Sequence, residues 1–149
     1  MGTQYKGTSE EISSLNTYIK LVRAADSILT RVYTSPHMDG LTVSQFGVIE
    51  AIYHLGPMFQ RELASKILKS SGNITMVVDN LEKRGLVERK RDRDDRRYVT
   101  VYLTRKGEEM IDKILPEHVA RITRELSILS EKEKEQLASL SKIAGRGVR

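Results

Sequence analysis

Ile74-Thr75-Met76-Val77-Val78-Asp79-Asn80-Leu81-Glu82-Lys83-Arg84-Gly85-Leu86-Val87 is the stretch on which the fold turns. At 100° per residue, Ile74, Val77, Val78 and Leu81 gather within about 100° of arc, the apolar stripe of a helix predicted from about Asn73 to Arg84. Met76, Asp79 and Lys83 point the opposite way, flanked by Asn73, Thr75 and Asn80, and Gly85 supplies the C-terminal stop. The period then changes. Leu86 to Lys90 and Tyr98 to Leu103 read as strands, the second alternating Val99, Val101 and Leu103 with Tyr98, Thr100 and Tyr102. A charged hairpin, Arg91-Asp92-Arg93-Asp94-Asp95-Arg96-Arg97, joins them.

Before this stretch, Thr42-Val43-Ser44-Gln45 is a capping box that opens a helix with Phe46, Ile49, Ile52 and Tyr53 at its apolar positions. Gly56-Pro57 ends that helix, and a short one around Phe59 to Leu68 is expected to bury Leu63, Ala64 and Ile67. Lys69-Ser70-Ser71-Gly72 makes the turn into the next. Two helices, a tight turn, a third helix and a basic hairpin are the parts of a winged helix-turn-helix, here residues 42–107.

Further out, Thr8 to Glu11 caps a helix whose positions Ile12, Leu15, Ile19, Val22, Asp26, Leu29 and Tyr33 recur at heptad spacing. Ser35-Pro36 and Asp39-Gly40 break it. After Thr104 helical pattern resumes through Met110, Ile111, Ile114 and Leu115, then Val119, Ile122, Leu126 and Leu129, with Pro116 expected to kink or break the helix. A capping box at Ser130-Glu131-Lys132-Glu133 starts a last helix expected to bury Leu137, Leu140 and Ala144. The expected fold is a single domain over 1–149, mainly α with a small β-hairpin wing. Residues 10–33 and 108–145 carry too much apolar helix for one chain of this size to cover, so they are expected to hold a homodimer.

Charge is concentrated in one segment. Lys83 to Lys106 holds ten Lys or Arg against four Asp or Glu, a local +6; set against +5 for the whole chain, the rest sums to −1. One basic segment on a near-neutral body is the footprint of a nucleic-acid binder. With no cysteine, a disulfide framework, a thiolate metal site and a thiol redox sensor are excluded. Apolar runs are short, far below the roughly 18 residues a membrane span needs, and Met1 to Glu11 lacks the apolar core of a signal peptide. The expected location is the cytoplasm, with no membrane partner.

The outward face of the Asn73–Arg84 helix carries groups able to meet base edges: Asn73, Thr75, Met76, whose thioether suits a thymine methyl, Asn80 and Lys83. Ser70, Ser71 and Gly72 stand at its N-terminus, where free N–H groups favour a phosphate as well as a cap. Gln60 and Arg61 open the preceding helix and are placed to touch backbone phosphate. Arg91, Arg93, Arg96 and Arg97 crowd the hairpin, with Asp92 or Asp95 to orient one of them. Surface ion pairs contribute only about 0–1 kcal/mol each, so stability explains that density poorly and a narrow minor groove explains it better.

Catalysis is not indicated. His37, His54 and His118 have no ligand-like spacing, no Gly-x-Ser-x-Gly or HExxH motif occurs, and Asp92, Asp94 and Asp95 lack the glycine and distal Glu of a calcium loop. No metal or cofactor is expected. The alternative reading is a winged-helix module for RNA or protein with no small-molecule effector. Aromatic residues are only 5% of the chain and none lies on the reading helix, which argues against single-strand stacking.

The run Arg61-Glu62-Leu63-Ala64, the stretch Ile74 to Val87, Asp92-Arg93-Asp94-Asp95-Arg96-Arg97 and Val99 to Leu103-Thr104-Arg105-Lys106-Gly107 together resemble the MarR family of regulators over residues 42 to 107. The resemblance implies a triangular homodimer on a pseudo-palindromic operator, built through the first helix and the last two. It implies that the helix after Ser71 reads the major groove of double-stranded DNA while the wing reaches the minor groove. On this chain Arg96 or Arg93 would be the wing contact and Asp95 its buttress. Arg93 stands where many relatives have proline, so the choice between them is open. The resemblance further implies a transcription repressor released by a small phenolic or aromatic acid. Tyr18, Arg23, Tyr33, His37, His54 and Phe59 would border the effector cleft.

Overall fold

The computed structural model describes residues 3–34, 36–67 and 71–147. In chain order it holds α1 (Ser9–Tyr33), a 3₁₀ turn (Pro36–Met38), α2 (Val43–Leu55), β1 (Met58–Phe59), α3 (Gln60–Lys66), α4 (Ser71–Lys83), β2 (Val87–Arg91), β3 (Val99–Leu103), α5 (Arg105–Glu125) and α6 (Glu131–Gly145). The three capping boxes stand at Thr8–Glu11, Thr42–Gln45 and Ser130–Glu133, each closed in both directions. Gly85 ends α4 with φ 72°, a backbone conformation that favours glycine. Its N–H and that of Leu86 reach back to the carbonyls of Glu82 and Leu81.

The sheet has three strands in the order β1-β3-β2, antiparallel throughout. The sequence pattern showed two of them, each one residue out of place. The third, Met58–Phe59, pairs with Val101 and Thr100, so Phe59 is a strand residue and α3 begins after it, at Gln60. Two residues are too few to show a period, and only the partner strand makes them a strand.

The chain divides into two units, Pro36–Val119 and a second made of Met1–Ser35 with Ala120–Arg149. In the first, Phe46, Val48, Ile49 and Ile52 of α2, Leu63 of α3, Ile74, Val78 and Leu81 of α4, Val101 of β3 and Ile111 and Ile114 of α5 are all buried. Val48 is among them although the apolar pattern did not single it out; Tyr53 and Ile67 are only partly covered. His118 is buried at 3% exposure against Phe46, ring centroids 4.5 Å apart, with His37 Nε2 3.5 Å from its Nδ1.

α5 runs through Pro116 without a break. Proline removes a single N–H, the one the Asp112 carbonyl would accept, and burial of Ile114 and His118 on either side holds the helix. α6 departs further from expectation: none of its residues is buried, and Leu137, Leu140 and Ile143 are 44%, 65% and 65% exposed. Their capping box and amphipathic spacing are as expected, but among the described residues nothing buries that face. Among the described residues no helix is long and apolar enough to cross a membrane.

Candidate nucleic-acid interface

α4 is oriented by its own core. Ile74, Val78 and Leu81 are buried, so Asn73, Thr75, Met76, Asn80 and Lys83 are left on the open side, with Met76 58% exposed. Ser71 and Gly72 form the first turn of the helix instead of preceding it, and Ser70 lies outside the described residues. Gln60, at the start of α3, donates from Nε2 to Thr75 Oγ1 at 3.1 Å, which ties the two helices across their turn.

Asp79 does not present a free carboxylate to solvent. Arg89 of β2 bonds both Asp79 and Glu82, the latter at 2.7 Å, and a second Glu82 oxygen accepts the Arg89 backbone N–H at 3.2 Å. The Arg89 hydrogen bond holds the Glu82 carboxyl below its ordinary range, and the same partners raise the guanidinium. This fork joins α4 to β2. Neither Glu82 nor Arg89 was among the expected site residues. The available signal was Arg89 itself, a charge opposite buried Val101 in the ladder.

The wing tip is a built turn. Asp92 Oδ1 accepts the N–H groups of Asp94 and Asp95 at 2.8 and 3.0 Å, and the Asp92 and Tyr98 amides close the loop on the carbonyls of Tyr98 and Asp95. Asp95 is a buttress, but for Arg97: its two oxygens take Arg97 Nε and Nη2 at 2.9 and 2.7 Å, which holds the Asp95 carboxyl below its usual range. Arg91 bends back to the Arg96 carbonyl at 3.3 Å. Arg93 and Arg96 remain exposed with no side-chain partner among the described residues. Arg61 lies over the Tyr98 ring at 5.1 Å and Phe59 packs on the same ring, so α3, β1 and the wing share one joint. Phe59, Gln60, Arg61, Arg97, Tyr98 and Val99 line a hollow of about 150 Å³ there.

Of the expected effector residues, Tyr18, Arg23 and Tyr33 belong to one unit and His37, His54 and Phe59 to the other. His37 packs against His118, His54 meets the Tyr53 ring edge-on, and Phe59 serves the wing joint. Tyr18 and Arg23 are exposed on α1, and Tyr33 is half-buried.

A recognition helix fixed from behind by a core, open in front, and flanked by a cationic β-hairpin defines a winged helix-turn-helix DNA-binding protein. A family model described as "MarR family" matches residues 41–99. Two Bacillus subtilis proteins are 39% identical to the chain. One is an uncharacterized HTH-type transcriptional regulator, YkoM, over 91% of this chain and 89% of that protein. The other is the HTH-type transcriptional regulator MhqR, over 89% and 91%. Among solved structures, Sco3205 of Streptomyces coelicolor, a MarR family regulator in complex with DNA, superposes with a TM-score of 0.84 at 19% identity, covering 98% of this chain and 92% of that one. Bordetella bronchiseptica BpsR, described by regulation of its DNA binding by 6-hydroxynicotinic acid, superposes at 0.78 with 24% identity over 87% and 98%. The chain belongs to the MarR family of DNA-binding transcriptional regulators and is not an enzyme.

Proposed function

We propose that this protein is a homodimeric repressor that reads a pseudo-palindromic operator through α4 and the wing, and is released by a small organic acid. The observation that carries the reading is the division of α4. One face is buried, while Asn73, Thr75, Met76, Asn80 and Lys83 stand exposed beside the unpaired wing arginines Arg93 and Arg96. The first group suits base edges in a major groove, the second a phosphate-lined minor groove. The side-chain hydrogen bonds of the wing support the same two candidates that the resemblance implies. Arg97 is held by Asp95 and Arg91 by the Arg96 carbonyl, so we assign the groove contact to Arg96 or Arg93 and a phosphate to Arg61, with Asp92 shaping the tip. The N–H groups of Ser71 and Gly72, and the hydroxyl of Ser70, fall to phosphate in the same reading.

Dimerisation through residues 10–33 and 108–145 is supported by the uncovered faces of α1 and α6. Repression is supported by likeness to the transcriptional repressor MprA of Escherichia coli, 37% identical over 54% of this chain and 46% of that protein. The cytoplasm follows as the place where DNA is met. The effector class rests on likeness to BpsR and its hydroxylated nicotinic acid, with Tyr18, Arg23, Tyr33, His37, His54 and Phe59 the residues to test.

Fluorescence anisotropy on a duplex selected from a random pool, and on a scrambled duplex, tests the division of labour. Arg96→Ala is expected to weaken both duplexes together and flatten the salt dependence by about one unit per lost phosphate contact per subunit. Asn73→Ala or Thr75→Ala is expected to cost about 1–3 kcal/mol on the selected duplex and little on the scrambled one. Equal losses on both duplexes from the α4 variants would sink the assignment of base reading. Adding 6-hydroxynicotinate or benzoate to the wild-type complex tests release.

A further inference from the structure

The end of α2, strand β3 and the start of α5 enclose a hollow of about 430 Å³, within the range that small-molecule sites occupy. All of it belongs to the Pro36–Val119 unit. Its walls are Ile52, Pro57 and Leu103, the rings of Tyr53 and Tyr102, and the carboxylates of Glu108 and Asp112; no Lys or Arg lines it among the described residues. In a chain of net charge +5 this is an exception to the prevailing sign.

The two carboxylates are differently engaged. Tyr53 donates its phenol to Asp112 Oδ1 at 2.8 Å, and that bond, with the charges of Asp112 and Glu108, holds the phenol above its ordinary value and so protonated. Glu108 has no side-chain partner among the described residues, although its charge reaches the Tyr53 phenol. Tyr102 carries the chain's own Lys90 ammonium 4.7 Å from its centroid, so its ring is disposed to a cation, and the face that Lys90 leaves uncovered is the one open to a ligand. The Tyr53–Asp112 bond also borders a second, more apolar hollow of about 380 Å³, formed with Leu115, Pro116 and Val119.

We propose that this hollow binds an organic cation: an ammonium group set between Glu108, Asp112 and the tyrosine rings, on an apolar body that lies against Ile52, Pro57 and Leu103. An anion there meets two carboxylates, with Lys90 on the Tyr102 ring as the neighbouring cation. The site is therefore distinct in ligand charge from the acid effector proposed above, and it does not depend on that effector.

Isothermal titration of the full-length protein with phenyltrimethylammonium tests it, with benzoate as an anion of similar size. The ammonium is expected to bind saturably, about tenfold more weakly to Glu108→Gln and more weakly again to Glu108→Gln with Asp112→Asn. Both changes keep side-chain shape, and the amide placed at position 112 retains an oxygen for the Tyr53 phenol. Tyr102→Leu, expected to lose a similar factor without altering a carboxylate, supplies an independent check. Any benzoate affinity is expected to be unchanged or improved by the carboxylate changes. No saturable heat with phenyltrimethylammonium on the wild-type chain would overturn the proposal. So would equal ammonium affinity in the double variant, or parallel loss of benzoate affinity.

Discussion

Among the described residues, every buried side chain but Val32 belongs to Pro36–Val119, whereas the helical segments on either side hold Leu21, Val22, Leu29, Ile128, Leu137, Leu140 and Ile143 in solvent. Both regions have capped, amphipathic helices. In one the apolar faces find each other across α2, α3, α4, α5 and the sheet; in the other they do not. The difference shows that amphipathic spacing states that a face must be covered and is silent on what covers it. A region complete in itself can hold its outer surface rigid, and one left open still needs a cover.

The comparison breaks most visibly at the open faces. Leu21→Glu with Leu140→Glu is expected to reduce the particle from twice the 16.9 kDa chain mass to a single mass in light scattering, and to abolish tight duplex binding. A wild-type protein that is already a stable monomer at micromolar concentration would end the dimer reading. Next comes the closed region. Phe46→Ala empties a fully buried site and is expected to cost about 3–5 kcal/mol in urea unfolding. Leu140→Ala should instead act mainly on how the melting temperature depends on protein concentration.

The fork between α4 and β2 is a smaller part of the same closed region. Arg89→Ala is expected to cost about 1–2 kcal/mol, reduced from a buried charged bond because these side chains are 25–40% exposed. Faster amide exchange over Val87–Arg91 would accompany it. Arg96→Ala, with no partner to lose, should change stability by less than about 0.5 kcal/mol.

The smallest effect is the pH dependence of the closed region. Burial, and secondly the charge of neighbouring His37, holds the His118 imidazole below its ordinary 6.5. The unfolded chain therefore takes that proton more readily than the folded one. The stability this group contributes is whole above pH 6.5 and is lost as pH falls toward the folded value. Urea midpoints should drop as the pH is lowered through 6.5, and His118→Gln should flatten that drop. A midpoint that falls equally in the variant would assign the dependence to other groups.

Much of the closed region was legible in the sequence because its signals are local. The Ile74, Val78 and Leu81 stripe, the Gly85 stop and the alternation from Val99 to Leu103 each follow from backbone geometry alone. The outward face of α4 came with them. What was not legible depends on chain elements meeting: the two-residue strand at Met58, the covering of Val48 and the Arg89 fork. The pairing of Asp95 with Arg97 was equally hidden, since seven consecutive charges allow several pairings and only the turn closed by Asp92 selects one. Leu137, Leu140 and Ala144 failed differently. Their spacing is right, and among the described residues no surface buries them.

Gly107 holds the joint between the reading helix and α5. Thr104 donates its hydroxyl to the Gly85 carbonyl at 2.6 Å and accepts the Gly107 N–H, Lys106 reaches the Arg84 carbonyl, and a Cβ on Gly107 would stand 2.1 Å from the Leu86 carbonyl oxygen. By helix propensity alone, alanine should improve a helical glycine by about 0.5–1 kcal/mol. Here a methyl group has no room unless the end of α4 is pushed off the start of α5. Mutational tolerance should therefore be inverted across a few residues: permissive at solvent-exposed Arg105 and closed at Gly107 even to the smallest side chain. A saturation library selected for DNA binding would carry that imprint.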